Sequence, residues 1–180
     1  MARGWLNRSE GGTLVDGSRK RAVLLRRVTR TLESARRRDE RCLLLRLQVT
    51  GLDDLEDRAF AASVSRVVTE RMRRQVRVDD LLVRGAGHEF TVLTQGIDVF
   101  PHTAGTVIAT RLAANLTRPY GIDGVRVDLG VRIGIASFPD DAQDAEGLLL
   151  AASQALRGAH RAGEPWRFAA PQIKPERRQA

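Results

Sequence analysis

The segment LLVRGAGHEFTVL, which begins at Leu81, constrains the fold more than any other part of the chain. Two runs of strand-forming residues, LLV and FTVL, flank a tight tip that contains Gly85 and Gly87. Glycine tolerates the positive φ angles that short β-turns need, so this pattern is typical of a β-hairpin. The segment therefore predicts two antiparallel strands near the middle of the sequence, joined by the tip GAGH.

Hydrophobic spacing predicts the elements on either side of this hairpin. Apolar residues at helical intervals predict helices over about 18–40, 54–76 and 103–116, and a last helix that follows Asp144 and ends near Gly163. RCLLLRLQV predicts a buried strand, VRVDLGVRIGIASFP predicts a long strand that Pro139 ends, and RPYGIDG predicts a turn. Without the first and last helices the order is βαββαβ. We therefore predict an α+β fold, an antiparallel sheet of βαββαβ type with extra N- and C-terminal helices.

The length of 180 residues, 42% of them hydrophobic, predicts a single domain. We expect a flexible N-terminus over residues 1–11, the domain over 12–168 and a polar, disordered tail over 169–180. Apolar runs in the sequence are all shorter than the roughly 20 residues of a membrane helix, and the N-terminus lacks the apolar core of a signal peptide. These features predict a soluble, cytoplasmic protein without a membrane partner.

The net charge of +8 comes almost entirely from arginine, because only Lys20 and Lys174 are lysines. An arginine surplus favours partners that carry phosphate. The basic first helix has no interleaved aromatic residues to stack on bases, so we do not expect DNA as a partner. The single cysteine, Cys42, lies in the apolar run CLLLRL and is predicted to be a core residue rather than a nucleophile.

Two segments of the chain resemble the GGDEF domain of bacterial diguanylate cyclases. RGAGHEFTVL is similar to that family's signature hairpin, and LGVRIGIASFPDDAQDAEGLLLAASQALRGAHRAG is similar to its closing strand and final helix. The resemblance extends from about Gly12 to Phe168 and implies the palm fold of nucleotidyl cyclases. It also implies a reaction that joins two GTP molecules into cyclic di-GMP, with metal ions bound to carboxylates.

The residues at the implied active site differ from the family's pattern. Gln48 stands where the resemblance places a metal-binding aspartate, and His88 stands where it places an acidic residue. The degenerate signature loop comprises Ala86, Gly87, His88, Glu89 and Phe90. We therefore predict a domain without catalytic residues, without a metal ion or cofactor and without a Mg²⁺ requirement, which is not an enzyme.

Two further positions of the implied site are also changed. Glu56 replaces an asparagine expected to recognise guanine, and His160 replaces a lysine expected to meet phosphate. The three histidines, His88, His102 and His160, have no spacing of a metal site, so each is predicted to be a surface or turn residue. Glu89 is then expected to be a turn or hydrogen-bonding residue.

A second site of the family is retained. In the family, an inhibitory site written RxxD ends five residues before the signature, and the segment RVDD places Arg77 and Asp80 at this spacing. The segment IATRL places Arg111 at the position of the arginine that completes the site. The resemblance implies that these three residues bind cyclic di-GMP. An arginine fork donates to phosphate or to guanine O6 and N7, while a carboxylate accepts from guanine N–H groups. The alternative is that Arg77 and Asp80 cap a helix or form a local ion pair.

Three functions are consistent with the sequence. The first is a non-catalytic receptor that binds cyclic di-GMP and signals through a homodimer or an unidentified protein partner. The second is a GTP-binding or weakly active remnant of a diguanylate cyclase, since Asp57, Gly87 and Glu89 remain in the implied active site. The third is a protein-interaction scaffold that needs no nucleotide.

Overall fold

The computed structural model describes residues 14–97 and 100–170. The predicted flexible N-terminus, residues 1–11, lies outside the described residues, as does the predicted tail 169–180 apart from its first two positions. The helices are α1 (Leu14–Arg37), α2 (Arg58–Arg73), α3 (Pro101–Leu116) and α4 (Ala145–Ala162). The strands are β1 (Arg41–Thr50), β2 (Leu81–Arg84), β3 (Glu89–Ile97), β4 (Tyr120–Ile122), β5 (Val125–Val127), β6 (Gly130–Phe138) and β7 (Trp166–Phe168).

Five strands form the main sheet in the order β2-β3-β1-β6-β7. The central strand β1 is antiparallel to β3 on one side and to β6 on the other, and β2 completes the predicted hairpin with β3. This arrangement confirms the predicted α+β fold with its βαββαβ sheet. It adds one strand that was not predicted, β7, which pairs parallel to β6 at the edge of the sheet.

Strand β1 lacks helical spacing because it is buried on both faces. Its alternating side chains Leu43, Leu45 and Leu47 join a core cluster with α2 and α3, whereas Cys42 and Leu44 join a second cluster with α1 and α4. The Cys42 side chain is fully buried, as predicted, and burial raises the pKa of its thiol to about 11. The sheet therefore separates two helical layers, each with its own core.

Helix boundaries were less accurate than helix positions. Helix α2 is shorter than the predicted 54–76, because the Asp57 carboxylate caps its N-terminus by accepting from the N–H groups of Ala59 and Phe60 at 2.8 and 3.2 Å. Helix α4 begins after the Asp144 cap and ends at Gly163, as predicted.

A turn followed by one long strand was predicted for residues 118–139; the strand ends before Pro139 as predicted, but its predicted start was wrong. Strands β4 and β5 form a separate two-stranded sheet, so the long strand begins only at Gly130. The hairpin is held by Tyr120, whose buried hydroxyl donates to the Leu116 carbonyl at 2.9 Å and whose ring lies 3.5 Å from the Arg71 guanidinium carbon. Such three-residue strands carry too little periodicity to be recognised in a sequence.

Among the residues that the structure describes, no helix has the length and apolar character needed to span a bilayer.

Candidate ligand-binding site

The segment that joins α2 to β2 contains a tight turn formed by the RxxD motif, from Arg77 to Asp80. The N–H of Arg77 donates to Oδ2 of Asp80 at 2.8 Å, and the N–H of Asp80 donates to the Arg77 carbonyl at 3.2 Å. Asp80 is half-buried, whereas the Arg77 side chain is exposed and its guanidinium has no hydrogen-bonding partner within residues 14–97 and 100–170. The turn therefore fixes the carboxylate while it leaves the arginine available to a ligand.

Arg111, the arginine that completes the predicted site, lies on α3. Arg111 Nη2 donates to the carbonyl oxygen of Gln75 at 3.1 Å, so its side chain reaches the segment that leads into the Arg77 turn. The Arg111 side chain is otherwise exposed. One hydrogen bond to a backbone carbonyl leaves the remaining donors of a guanidinium group free for other acceptors.

The three residues line one cleft between the end of α2, the face of α3 and the second half of β3. This RxxD cleft has a volume of about 420 Å³. Two elements supply most of its apolar lining. Strand β3 contributes Val92 and Ile97, and α3 contributes Val107 and Ile108. Phe100 also lines the cleft, at the point where α3 begins. The size falls within the usual range of small-molecule sites, and an apolar surface with a few converging polar groups is their usual composition.

The RxxD cleft combines groups that suit a phosphorylated purine. Two guanidinium groups supply positive charge and paired donors, and one carboxylate supplies acceptors for N–H groups. The apolar lining can cover a base, while Thr94 and Thr103 add hydroxyl groups to the wall. The sequence predicted these charges, but the structure alone provides the apolar surface beside them.

The signature loop, residues 86–90, closes the β2–β3 hairpin at another place on the sheet. Gly85 N–H donates to the Glu89 carbonyl at 2.8 Å, and Glu89 N–H donates to the Ala86 carbonyl at 3.1 Å. Gly87 and His88 follow each other in the left-handed region, with φ angles of 55° and 62°. The loop thus keeps a defined hairpin conformation, with histidine in a left-handed backbone conformation that glycine adopts more easily.

Glu89 points towards the layer of α1 and α4. Its Oε2 lies 2.5 Å from Nη2 of Arg46, and both side chains line a cleft of about 380 Å³ together with Gly85 and Ala86. Phe90, the next residue, is buried in the core of the opposite face. The single carboxylate of the signature loop is therefore already paired with an arginine of β1.

The other residues of the implied metal site lie close to this loop. Gln48 is the partner of Glu89 in the β1–β3 pairing, and His88 Nε2 lies 3.6 Å from Oδ1 of Asp53. His88 Nδ1 is buried and has no partner among the described residues. His102 packs its ring 4.3 Å from that of Phe168, and His160 is exposed near the end of α4.

This donor set does not fit Mg²⁺, the kind of ion that the family's reaction implies. Mg²⁺ prefers carboxylate oxygens, but here Gln48 is a neutral amide, His88 offers nitrogen and Glu89 is engaged by Arg46. In the described part of the chain, no three histidine, cysteine, aspartate or glutamate side chains are grouped closely enough to hold a metal ion.

Comparison with known families matches residues 19–165 to the family described as diguanylate cyclase, GGDEF domain. The chain belongs to the GGDEF domain family. The matched residues include most of α1, the signature loop and all of α4.

Three relatives illustrate the similarity. The diguanylate cyclase TpbB of Pseudomonas aeruginosa is 29% identical over 159 residues, which cover 80% of this chain and 35% of TpbB. The solved GGDEF domain of TpbB superposes with a TM-score of 0.77 at 29% identity, over 83% of this chain and 89% of that one. The bifunctional diguanylate cyclase and cyclic di-GMP phosphodiesterase MucR, also of Pseudomonas aeruginosa, is 30% identical over 140 residues, 76% of this chain and 20% of MucR.

A further similar structure was solved with a bound nucleotide. The GGDEF domain of DgcB from Caulobacter crescentus, in complex with cyclic di-GMP, superposes with a TM-score of 0.68 at 17% identity, over 81% of this chain and 86% of that one. At this identity the likeness concerns the fold alone. The chain spans between 12% and 35% of the length of the curated relatives that it matches.

The family assignment corrects one prediction. The changes at Gln48, Ala86 and His88 led us to predict that the chain is not an enzyme. The matching family, however, is that of diguanylate cyclases. TpbB, which is similar to this chain in both sequence and fold, is a diguanylate cyclase. The altered residues are therefore differences within an enzyme family, and they do not place this GGDEF domain outside it.

Sequence reasoning missed two residues at these sites. Phe100 lines the RxxD cleft at the start of α3, and Arg46 holds Glu89. The only sequence signal for Arg46 was a charge inside the apolar run RCLLLRLQV. Phe100 gave no periodic signal, because it lies between the end of β3 and Pro101.

Proposed function

We propose that this GGDEF domain binds cyclic di-GMP in the RxxD cleft and acts as a receptor for this dinucleotide. The observation that carries the proposal is that Arg77, Asp80 and Arg111, which stand at the spacing of the inhibitory site, line the same cleft. Membership of the GGDEF family and the complex of the DgcB domain with cyclic di-GMP support the choice of ligand.

Each residue has a distinct role in this proposal. Asp80 accepts hydrogen bonds from the N–H groups of one guanine, with its carboxylate held by the turn that begins at Arg77. Arg77 and Arg111 donate paired hydrogen bonds to phosphate oxygens or to guanine O6 and N7. Occupation of the cleft changes the contacts of this domain with a second copy or with a separate protein, which would be its signalling output.

Calorimetric titration of cyclic di-GMP tests this proposal directly. We expect the wild-type chain to bind and Arg77→Ala to lose roughly 10-fold to 150-fold in affinity, the equivalent of hydrogen bonds to a charged group. Arg126→Ala is the matched control, because Arg126 is an exposed arginine of β5 that pairs with Asp128 and does not line the cleft. Unchanged affinity in Arg77→Ala, or no binding by the wild-type chain, would refute the proposed site.

A second candidate function is the diguanylate cyclase reaction at the signature loop. The family assignment favours it, and so does Glu89, the carboxylate that the loop retains. Titration of GTP in parallel, followed by incubation with Mg²⁺ and chromatography for cyclic di-GMP, separates this function from ligand binding at the RxxD cleft. Absence of binding by both nucleotides would instead favour a protein-interaction scaffold.

A further inference from the structure

We propose that Phe100 is a stacking residue that holds one guanine base of the ligand at the end of the RxxD cleft where α3 begins. This inference rests on the proposed function and extends it to a residue outside the RxxD motif. Phe100 is the only aromatic side chain among the described residues that line the cleft. Phe100 is 71% exposed, which is unusual for a phenylalanine.

The backbone of Phe100 is held in an uncommon conformation. Its φ and ψ angles of 47° and 81° lie in the left-handed region, which bulky side chains rarely adopt. The carbonyl of Phe100 accepts from the N–H of Ala104 at 3.1 Å, and Pro101 begins the helix immediately afterwards. The start of α3 therefore fixes the direction in which this ring leaves the backbone. Strained residues at the edge of a ligand cleft are reasonable candidates for a role in binding.

One face of α3 connects the aromatic ring to the charged end of the cleft. Ala104, Ile108 and Arg111 follow Phe100 at intervals of three or four residues, and all of them line the cleft. The helical rise places Phe100 about 16 Å along the axis from Arg111. A ligand held by Arg111 must therefore be long enough to present a second flat group to Phe100. A dinucleotide with two bases joined through phosphates meets this requirement.

The division of roles follows from the chemistry of the side chains. A phenylalanine ring stacks on any base through its π face and donates no hydrogen bond, so it contributes affinity without reading base identity. The discrimination of guanine then depends on Arg77, Asp80 and Arg111. Val107, the other exposed apolar side chain of the cleft, is 61% exposed but has no π face.

Calorimetry with cyclic di-GMP on a series of variants tests this inference. We expect Phe100→Ala to weaken binding between about 5-fold and 150-fold, the usual range for loss of one base–aromatic contact. Phe100→Leu keeps an apolar side chain without a ring and should bind as weakly as Phe100→Ala. Val107→Ala, the control on the same helix face, should change affinity far less. Thermal unfolding should be the same in all variants, since both side chains are largely exposed.

Phe100→Trp supplies a readout that a purely structural role would not change. We expect this variant to bind cyclic di-GMP and its new indole to lose fluorescence on binding, measured against the wild-type chain with its native tryptophans. Wild-type affinity in Phe100→Ala, recovery in Phe100→Leu or an unquenched indole would each overturn the stacking role while leaving the RxxD site intact. Failure of the wild-type chain itself to bind would overturn the proposed function, and the stacking role with it.

Discussion

The N–H of Arg77 donates to Oδ2 of Asp80 at 2.8 Å, so one carboxylate oxygen holds the turn at the mouth of the RxxD cleft. This hydrogen bond involves the backbone of Arg77, so it is neither the helix cap nor the ion pair that the sequence left open for the two residues. The same carboxylate retains a second oxygen, Oδ1, that makes no hydrogen bond within the described residues. The structural role and the proposed ligand role therefore involve different oxygens of the same side chain.

Substitutions of Asp80 should separate those two roles. Asp80→Asn keeps one side-chain oxygen that accepts from the N–H of Arg77, so the free energy of unfolding should stay close to the wild-type value. Its affinity for cyclic di-GMP should fall, because the second acceptor oxygen and the negative charge are lost. Asp80→Ala should also lose about 1 kcal/mol of stability with the turn hydrogen bond. Urea unfolding and calorimetry measure the two effects. Full affinity in Asp80→Asn would rule out the carboxylate as a ligand-binding group.

Substitution of Arg111 tests whether the cleft uses the planar fork of arginine or only its charge. Arg111→Lys retains the positive charge but cannot form two parallel hydrogen bonds to phosphate or guanine. We expect its affinity for cyclic di-GMP to be much closer to that of Arg111→Ala than to that of the wild type. Calorimetry at one fixed salt concentration measures this order. Near-wild-type binding by Arg111→Lys would indicate a purely electrostatic contact.

Restoring carboxylates beside the signature loop should increase the formation of cyclic di-GMP from GTP. The combined change Gln48→Asp and His88→Asp places two carboxylates next to Glu89, and aspartate tolerates the left-handed backbone at position 88. We expect the variant to form product faster than the wild-type chain in the presence of Mg²⁺. Chromatography of the reaction mixture measures the two rates. Equal rates would show that these two positions do not limit the reaction.

Gly134 lets α4 pack directly on β6. A Cβ atom at this position would lie 2.1 Å from the Ala152 carbonyl oxygen and 2.2 Å from the Leu156 nitrogen, both backbone atoms of α4. We expect Gly134→Ala to lower the free energy of unfolding by about 2 kcal/mol or more, because the helix must shift. Gly121→Ala in β4 is the control, since nothing lies within 4 Å of its added methyl group. Urea unfolding of both variants checks the contrast, and equal stabilities would contradict it.

The buried thiol of Cys42 should be unreactive in the folded protein. Burial raises its pKa from 9.0 to about 11, and the side chain is inaccessible, so the thiolate is scarce at pH 8. Ellman's reagent should therefore react slowly with the native chain and at the rate of a free thiol in urea. A fast reaction under native conditions would show that β1 opens locally.

The amino-acid sequence alone determined most of the local elements and the identity of the family. Gly85 and Gly87 between strand-forming runs predicted the hairpin, the apolar run around Cys42 predicted a buried strand, and the spacing of Arg77 and Asp80 predicted the RxxD motif. These signals are local, since turns and alternation depend on neighbouring residues. The exclusion of enzyme activity went further than such signals allow, and the family assignment contradicted it.

Only the tertiary structure decided which distant residues meet. The packing of α3 on the sheet brings Arg111 and Phe100 to the cleft that contains Asp80, and the pairing of β1 with β3 brings Arg46 to Glu89. Strand β7 likewise forms because it can pair with the exposed edge of β6. Such contacts depend on how elements stack and pair across the sheet, and no periodicity within a short segment encodes them.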